Sequence, residues 1–193
     1  MLENLKKYHI ILASNSPRRK ELLGGLGIEY EVKTLSGIDE SYPANLIGKE
    51  IPIYISSQKA KAYEQLLKDD TLIITADTIV YLEGEVLGKP KNAEDATRML
   101  TKLSGCTHEV ITGVTLLTKN KRKSFSVVSQ VTFDCLSEDE IAYYVEHFKP
   151  FDKAGAYGIQ EWIGFIGVKS LKGSYFNVMG LPVQRLYKEL KQL

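Results

Sequence analysis

The stretch TLIITAD, residues 71–77, constrains the fold of this chain more than any other. It is a continuous, largely apolar run of strand length, and such a run reads as a strand covered on both faces. It then stops on a carboxylate, Asp77, which the sequence places at the strand's C-terminal end. The strand therefore needs helices around it, and the flanking sequence supplies them. Residues 8–13 (YHIILA) form a short β-rich run, followed by Ser16 as a helix N-cap and Pro17 at the first helical position. That helix stops near Gly24, Gly25 and Gly27, and EYEVKTL reads as a second strand.

Residues 36–48 mix Gly, Pro, Asn and acidic side chains and read as a loop, with a helix over roughly 52–68. TIVYLEGEVLGKP reads as a hairpin turning at Glu83 and Gly84, and NAEDATRMLTKL as a helix beginning at Asn92. HEVITGVTLLT and KSFSVVSQVTFDCL are long alternating strands joined by the basic turn KNKRK. In SEDEIAYYVEH, Ser137 three residues before Glu140 is a capping box. The remainder gives a Gly-rich loop FDKAGAYGIQ, short strands around IGFIGV and SYFNVM, and a last helix opened by Pro182. The alternation predicts an α/β fold with a mixed sheet, in one domain over residues 1–193.

Charge excludes some partners. Lys plus Arg number 25 against 24 for Asp plus Glu, so the net charge of +1 gives no global drive toward nucleic acid or an anionic membrane. Any anion recognition must be local. Two cysteines, Cys106 and Cys135, are too few for a disulfide framework and lack metal-site spacing, so both read as reduced packing residues. No apolar run has membrane-spanning length and no signal-peptide order opens the chain, so a cytoplasmic location is expected.

The anion site is expected at SNSPRRKELL. A helix N-terminus carries unpaired N–H groups and the positive end of the dipole, where acidic side chains are favoured. Arg18 and Arg19 break that rule in adjacent positions, and bidentate guanidinium contacts to phosphate give a reason. The plain alternative is two solvated arginines paired with Glu21 or other carboxylates. Ser14 and Ser16 offer hydroxyls, although the cap accounts for Ser16. Asp77, beside Thr78, could take a proton from water or hold a divalent cation, or it could simply close an Asx-turn. Taken singly, Lys59 and Lys61 in QKAKAY and Lys89 in GKP read as surface lysines. Neither GxGxxG nor a Walker pattern occurs, no nucleophile elbow appears, and His9, His108 and His147 are scattered, the last two reading as surface or edge residues.

Together, LASNSPRRKELL, ADT, GKP and DKAGAYGIQ, in this order and at these separations, resemble the Maf family of nucleotide pyrophosphatases, also called septum-formation inhibitors. The likeness covers nearly the whole chain, GSYFNVMGLP at 173–182 included. It implies hydrolysis of a nucleoside triphosphate to the monophosphate and pyrophosphate with Mg²⁺ or Mn²⁺. It also implies an elongated mixed sheet with flanking helices and two lobes around a cleft, as in inosine triphosphate pyrophosphatases, and a homodimer.

By the same resemblance Asp77 is the proton acceptor, Glu40 of GIDE is the metal-associated acid, and Arg18, Arg19, Lys59 and Lys89 handle phosphate. Arg18, Thr78 and Gln160 stand where the subgroups differ. That combination resembles the dTTP/UTP pyrophosphatases, with Thr78 and Gln160 reading the base, since a hydroxyl and an amide can each donate and accept. The 7-methyl-GTP subgroup carries a tryptophan before its arginines and a glutamine after the Asp. A different class also fits: a nucleotide-binding regulator of septum formation and cell division, which would not need Asp77. After Gln160, the continuation EWIGF departs from the family's more usual glycine-rich one.

Overall fold

The structure, a computed structural model, describes residues 2–193. Among these residues seven strands form one mixed sheet with flanking helices. The strands are β1 (His9–Leu12), β2 (Glu31–Val32), β3 (Thr71–Leu82), β4 (Glu85–Leu87), β5 (Thr107–Leu117), β6 (Arg122–Phe133) and β7 (Val168–Lys172). Their order is β2-β1-β3-β5-β6-β7, with β4 paired to β3. β1 runs parallel to both β2 and β3, while β3–β4 and β6–β7 are antiparallel. The helices are α1 (Pro17–Gly24), α2 (Glu50–Ala62), α3 (Ala93–Leu103), α4 (Glu138–Phe148), α5 (Trp162–Gly167), α6 (Tyr175–Met179) and α7 (Val183–Leu190).

The apolar run at 71–77 sits where its composition demands. Leu72, Ile73 and Ile74 are fully buried, and each such side chain contributes about 2 kcal/mol relative to exposure. Ile73 packs with Ile11, Ala60, Tyr63 and Leu117, a cluster drawn from β1, α2, β3 and β5.

The strand does not end at Asp77. It continues to Leu82, because TIVYL is β-branched and aromatic and pairs with β4 through Val80–Leu87 and Leu82–Glu85. Parallel pairing to β1 stops at Ile74, so Asp77 lies three residues beyond the point where β1 leaves the sheet. The expected hairpin turn is present, with Glu83 and Gly84 at φ of 49° and 88°.

Several other expectations need correction. IGFIG and SYFNVM are helices. In α5, Ile163 and Gly167 are buried while Phe165 and Ile166 are exposed, a helical spacing that short apolar runs conceal. In α6, Ser174 Oγ accepts the Asn177 N–H, and the buried Asn177 side chain donates to Val110 O and Ser129 Oγ. EYEVKTL yields only the two exposed residues of β2. α2 starts at Glu50 and stops at Ala62, followed by one 3₁₀ turn, Glu64–Leu66. His108, expected at the surface, is buried, its Nε2 2.7 Å from the Tyr157 hydroxyl and its ring edge-on to Phe133. Burial lowers its pKa to about 4. Cys106 and Cys135 are both free, Cys106 half-buried and Cys135 exposed.

The chain divides into two compact units. The first comprises the stretch up to Asp77 with Thr112–Val127 and Gly180–Leu193, and the second comprises Thr78–Ile111 and Val128–Met179. No helix of the described residues is long and apolar enough to cross a membrane.

Candidate active site

In the first unit, β1 delivers the chain into the turn that starts α1. Ser14 Oγ accepts the Ser16 N–H at 3.3 Å, and Ser16 Oγ accepts the Arg19 N–H at 3.5 Å, so Ser16 is the N-cap and Ser14 supports it. No acidic residue stands in this first turn. Arg19 turns inward, its Nε donating to Gly180 O and one terminal nitrogen to Ala76 O, both at 2.9 Å. Two of its five donors thus clamp α1 to the residue preceding Asp77 and to Gly180. Burial lowers the Arg19 pKa from its ordinary value, while the charges of Asp77 and Glu40 oppose that shift.

Asp77 is 8% exposed, and its Oδ1 accepts from Lys59 Nζ at 2.8 Å. The same ammonium lies 3.0 Å from Glu40 Oε1. Glu40 comes from the irregular segment after β2, next to the turn in which Asp39 accepts from Ser41 N and Oγ. Those hydrogen bonds, the backbone one foremost, hold the Asp39 carboxyl below its ordinary range.

The meeting of Lys59 with Asp77 follows from register. Thr75, two residues before Asp77 and so on the same face of β3, donates its hydroxyl to Ser56 O at 2.7 Å. Ser56 lies three residues before Lys59, close to one helical turn, and its hydroxyl also meets Thr115 Oγ1 at 3.1 Å. Gly113 completes the seating of α2. A Cβ there would lie 2.3 Å from the carbonyl carbon of Pro52, so only glycine lets helix and strand backbones approach this closely.

Ser14, Ser16, Arg18, Arg19, Glu40, Lys59 and Asp77 therefore all belong to the first unit, and a direct ionic cluster joins Glu40, Lys59 and Asp77. Thr78, Lys89 and Gln160 belong to the second. There Thr78 is half-buried and Lys89 is exposed. Lys89 follows Gly88, whose carbonyl accepts from Gly155 N at 3.0 Å. Gln160 Oε1 is buried without a hydrogen-bond partner.

The loop bearing Gln160 is held by residues that sequence reasoning missed. Lys153 Nζ lies 3.2 Å from Glu161 Oε1, the Tyr144 hydroxyl donates to Glu161 Oε2, and Gly158 N donates to the Tyr144 hydroxyl at 3.0 Å. Burial and the Glu161 carboxylate raise the Tyr144 pKa above its ordinary value, so it stays a donor. The available signal was Tyr144 on the apolar face of a capped helix, where a buried hydroxyl must find a partner.

Among the described residues no three His, Cys, Asp or Glu side chains converge as a metal site. Glu40 and Asp77 nonetheless form a pair of hard oxygen donors already gathered around one cation, the Lys59 ammonium. That set fits Mg²⁺ or Mn²⁺, which are commonly held by one or two carboxylates with water and phosphate oxygens completing the shell.

An α/β protein with this sheet has solved counterparts: a HAM1 protein from Coxiella burnetii shares the fold with a TM-score of 0.52 at 14% identity, over 96% of this chain and 100% of that one. The Maf family, described as Maf-like protein, matches residues 9–193, and the chain belongs to that family. Relatives named dTTP/UTP pyrophosphatase include one from Phocaeicola vulgatus, 67% identical, and one from Bacteroides thetaiotaomicron, 62% identical, each over 100% of both chains.

Proposed function

We propose that this protein hydrolyses dTTP and UTP to the monophosphate and pyrophosphate. The observation that carries the reading is the Glu40–Lys59–Asp77 cluster, placed in the same unit as the arginine-bearing N-terminus of α1. Relatives named for this activity, similar over their whole length, support it.

The triphosphate is an elongated polyanion. Arg18, Lys59 and Lys89 bind its oxygens, and the α1 N-terminus adds N–H donors and the positive end of its dipole. Arg19, already committed to two carbonyls, fixes the start of α1 against β3 and adds charge from behind. Asp77 accepts the proton of a water whose oxygen attacks the α-phosphorus; the bond from that phosphorus to the α,β-bridging oxygen breaks and pyrophosphate leaves. Glu40 and Asp77 would hold the divalent ion. When bound, such an ion supplies neutralisation of charge on the phosphate oxygens. Charge stabilisation by the basic residues supplies more of the acceleration than proton removal does, because these transition states need little covalent help.

Thr78 and Gln160 read the pyrimidine edge. The unpartnered, buried Oε1 of Gln160 supports this, being an acceptor that lacks a donor. Exchanging either residue shifts the kcat/KM ratio between UTP and 7-methyl-GTP; an unchanged ratio removes that residue from base reading.

The test is pyrophosphate release by purified protein with Mg²⁺ or Mn²⁺ across dTTP, UTP, CTP, GTP and 7-methyl-GTP. Release from dTTP and UTP well above the others is expected. Release chiefly from 7-methyl-GTP overturns the base assignment, and binding without release from any of them replaces the enzyme with a nucleotide-binding regulator. The homodimer and the cytoplasmic location belong to the same reading and are checked by light scattering and cell fractionation.

A further inference from the structure

The Glu40–Asp77 pair already surrounds a cation belonging to the protein itself. Lys59 Nζ lies 2.8 Å from Asp77 Oδ1 and 3.0 Å from Glu40 Oε1. The side chains of Lys59 and Asp77 are only 13% and 11% exposed, so water screens their attraction weakly. The ammonium is no incidental visitor. Its helix is fixed on the sheet by Thr75 Oγ1 donating to Ser56 O, by the Ser56–Thr115 hydroxyl contact, and by the Gly113 approach.

A divalent ion held by the same two carboxylates would compete with the ammonium that now bridges them. Two cations cannot share that position, because at such a separation beside the little-exposed Asp77 their repulsion is large, although Glu40 is half exposed. Resting on the reading of Glu40 and Asp77 as the metal-holding pair, we infer that Lys59 occupies the divalent-cation position until a triphosphate arrives.

The polyphosphate then does two things in one event. It offers the flexible ammonium a new anionic partner, and it would supply oxygens to an ion for which the described residues gather two carboxylates at this cluster. Metal therefore enters with the nucleotide and not ahead of it. With Lys59 in place the three side chains sum to a net charge of −1, and once the ammonium leaves, the two carboxylates present −2 to the incoming ion. Lys59 thereby keeps divalent ions out of a site that holds no substrate.

The test is Mn²⁺ binding to nucleotide-free protein, followed by calorimetry and by the Mn²⁺ paramagnetic resonance signal at fixed pH. Lys59→Met is expected to bind Mn²⁺ at least about tenfold more tightly than wild type, since it removes both the occupant and the repulsion. Lys59→Arg, which keeps a cation there, stays within about threefold of wild type. Lys61→Met loses the same charge from an exposed position on the same helix and changes affinity by less than about twofold.

Equal Mn²⁺ affinity in wild type and Lys59→Met overturns the inference, as does an equal gain in Lys61→Met. If Lys59→Met does not fold, Lys59→Gln carries the same comparison. None of these measurements uses turnover. A protein that releases no pyrophosphate sinks the enzymatic reading, and one that binds Mn²⁺ tightly without nucleotide sinks only this one.

Discussion

Each unit buries a lysine against carboxylate, and the two do so differently. In the first unit Lys59 is a shared partner of Asp77 and Glu40, an ammonium at the end of a four-carbon stem that bridges the two carboxylates. In the second, Glu161 divides its oxygens between Lys153 and the Tyr144 hydroxyl, which in turn accepts from a backbone N–H. The first arrangement can rearrange when a stronger anion arrives. The second is closed by groups with a fixed position, an aromatic hydroxyl and the main chain, and it holds a loop in shape. Similar ionic residues thus serve exchange in one unit and rigidity in the other.

The contrast fails most visibly if Asp77 proves structural. Asp77→Asn is expected to lower turnover by about 10² or more in protein that remains folded. Purified, folded protein within about threefold of wild type in a pyrophosphate-release assay would erase the distinction.

The second unit also carries a pH liability. The pKa of His108 is depressed by burial to about 4 from an ordinary 6.5, so the unfolded chain binds the proton more readily than the folded one. Its contribution to stability is complete above pH 6.5 and is lost as the pH falls toward 4, to the extent of about 3 kcal/mol. Denaturant unfolding of wild type and His108→Phe across this range measures it, and the variant should give the flatter profile.

Tyr144→Phe should cost about 2 kcal/mol, because it strands a Glu161 oxygen and the Gly158 N–H together. Turnover at saturating substrate stays within about threefold; a loss of turnover as large as that of Asp77→Asn would make the two centres equivalent. The smallest effect is expected at the capping box of α4. Ser137→Ala removes the acceptor for Glu140 N and costs about 1 kcal/mol in thermal unfolding with no change in activity.

Local rules made much of this legible beforehand. The caps at Ser16 and Ser137, the helix start at Asn92 and the Glu83–Gly84 turn each depend on neighbours within four residues, and each stands as read; the run at 71–77 is buried as its composition demands, although its strand continues to Leu82. The misreadings arose where distant parts of the chain decide. α6 owes its position to Asn177 reaching Val110 and Ser129, and His108 owes its burial to Phe133 and Tyr157. At the candidate site, Arg18 and Arg19 stood out from their place in the first helical turn and Asp77 from its place after an apolar run, whereas Glu40 came only from resemblance. The inward turn of Arg19 onto Ala76 and Gly180 was invisible, because backbone carbonyls leave no mark in side-chain chemistry.

That inward turn bears on how the molecule is made. The two carbonyls gripped by Arg19 leave the ribosome at very different times, Gly180 being 161 residues behind the arginine. At about 5–20 residues per second the wait is roughly 8–30 s. Throughout it the first unit lacks its closing segment, Gly180–Leu193, and by its end the last residue of the second unit, Met179, has been translated. Leu12, Ile73 and Ile74 belong to the part that waits, so the most deeply buried strands of the first unit are made long before the segment that completes it.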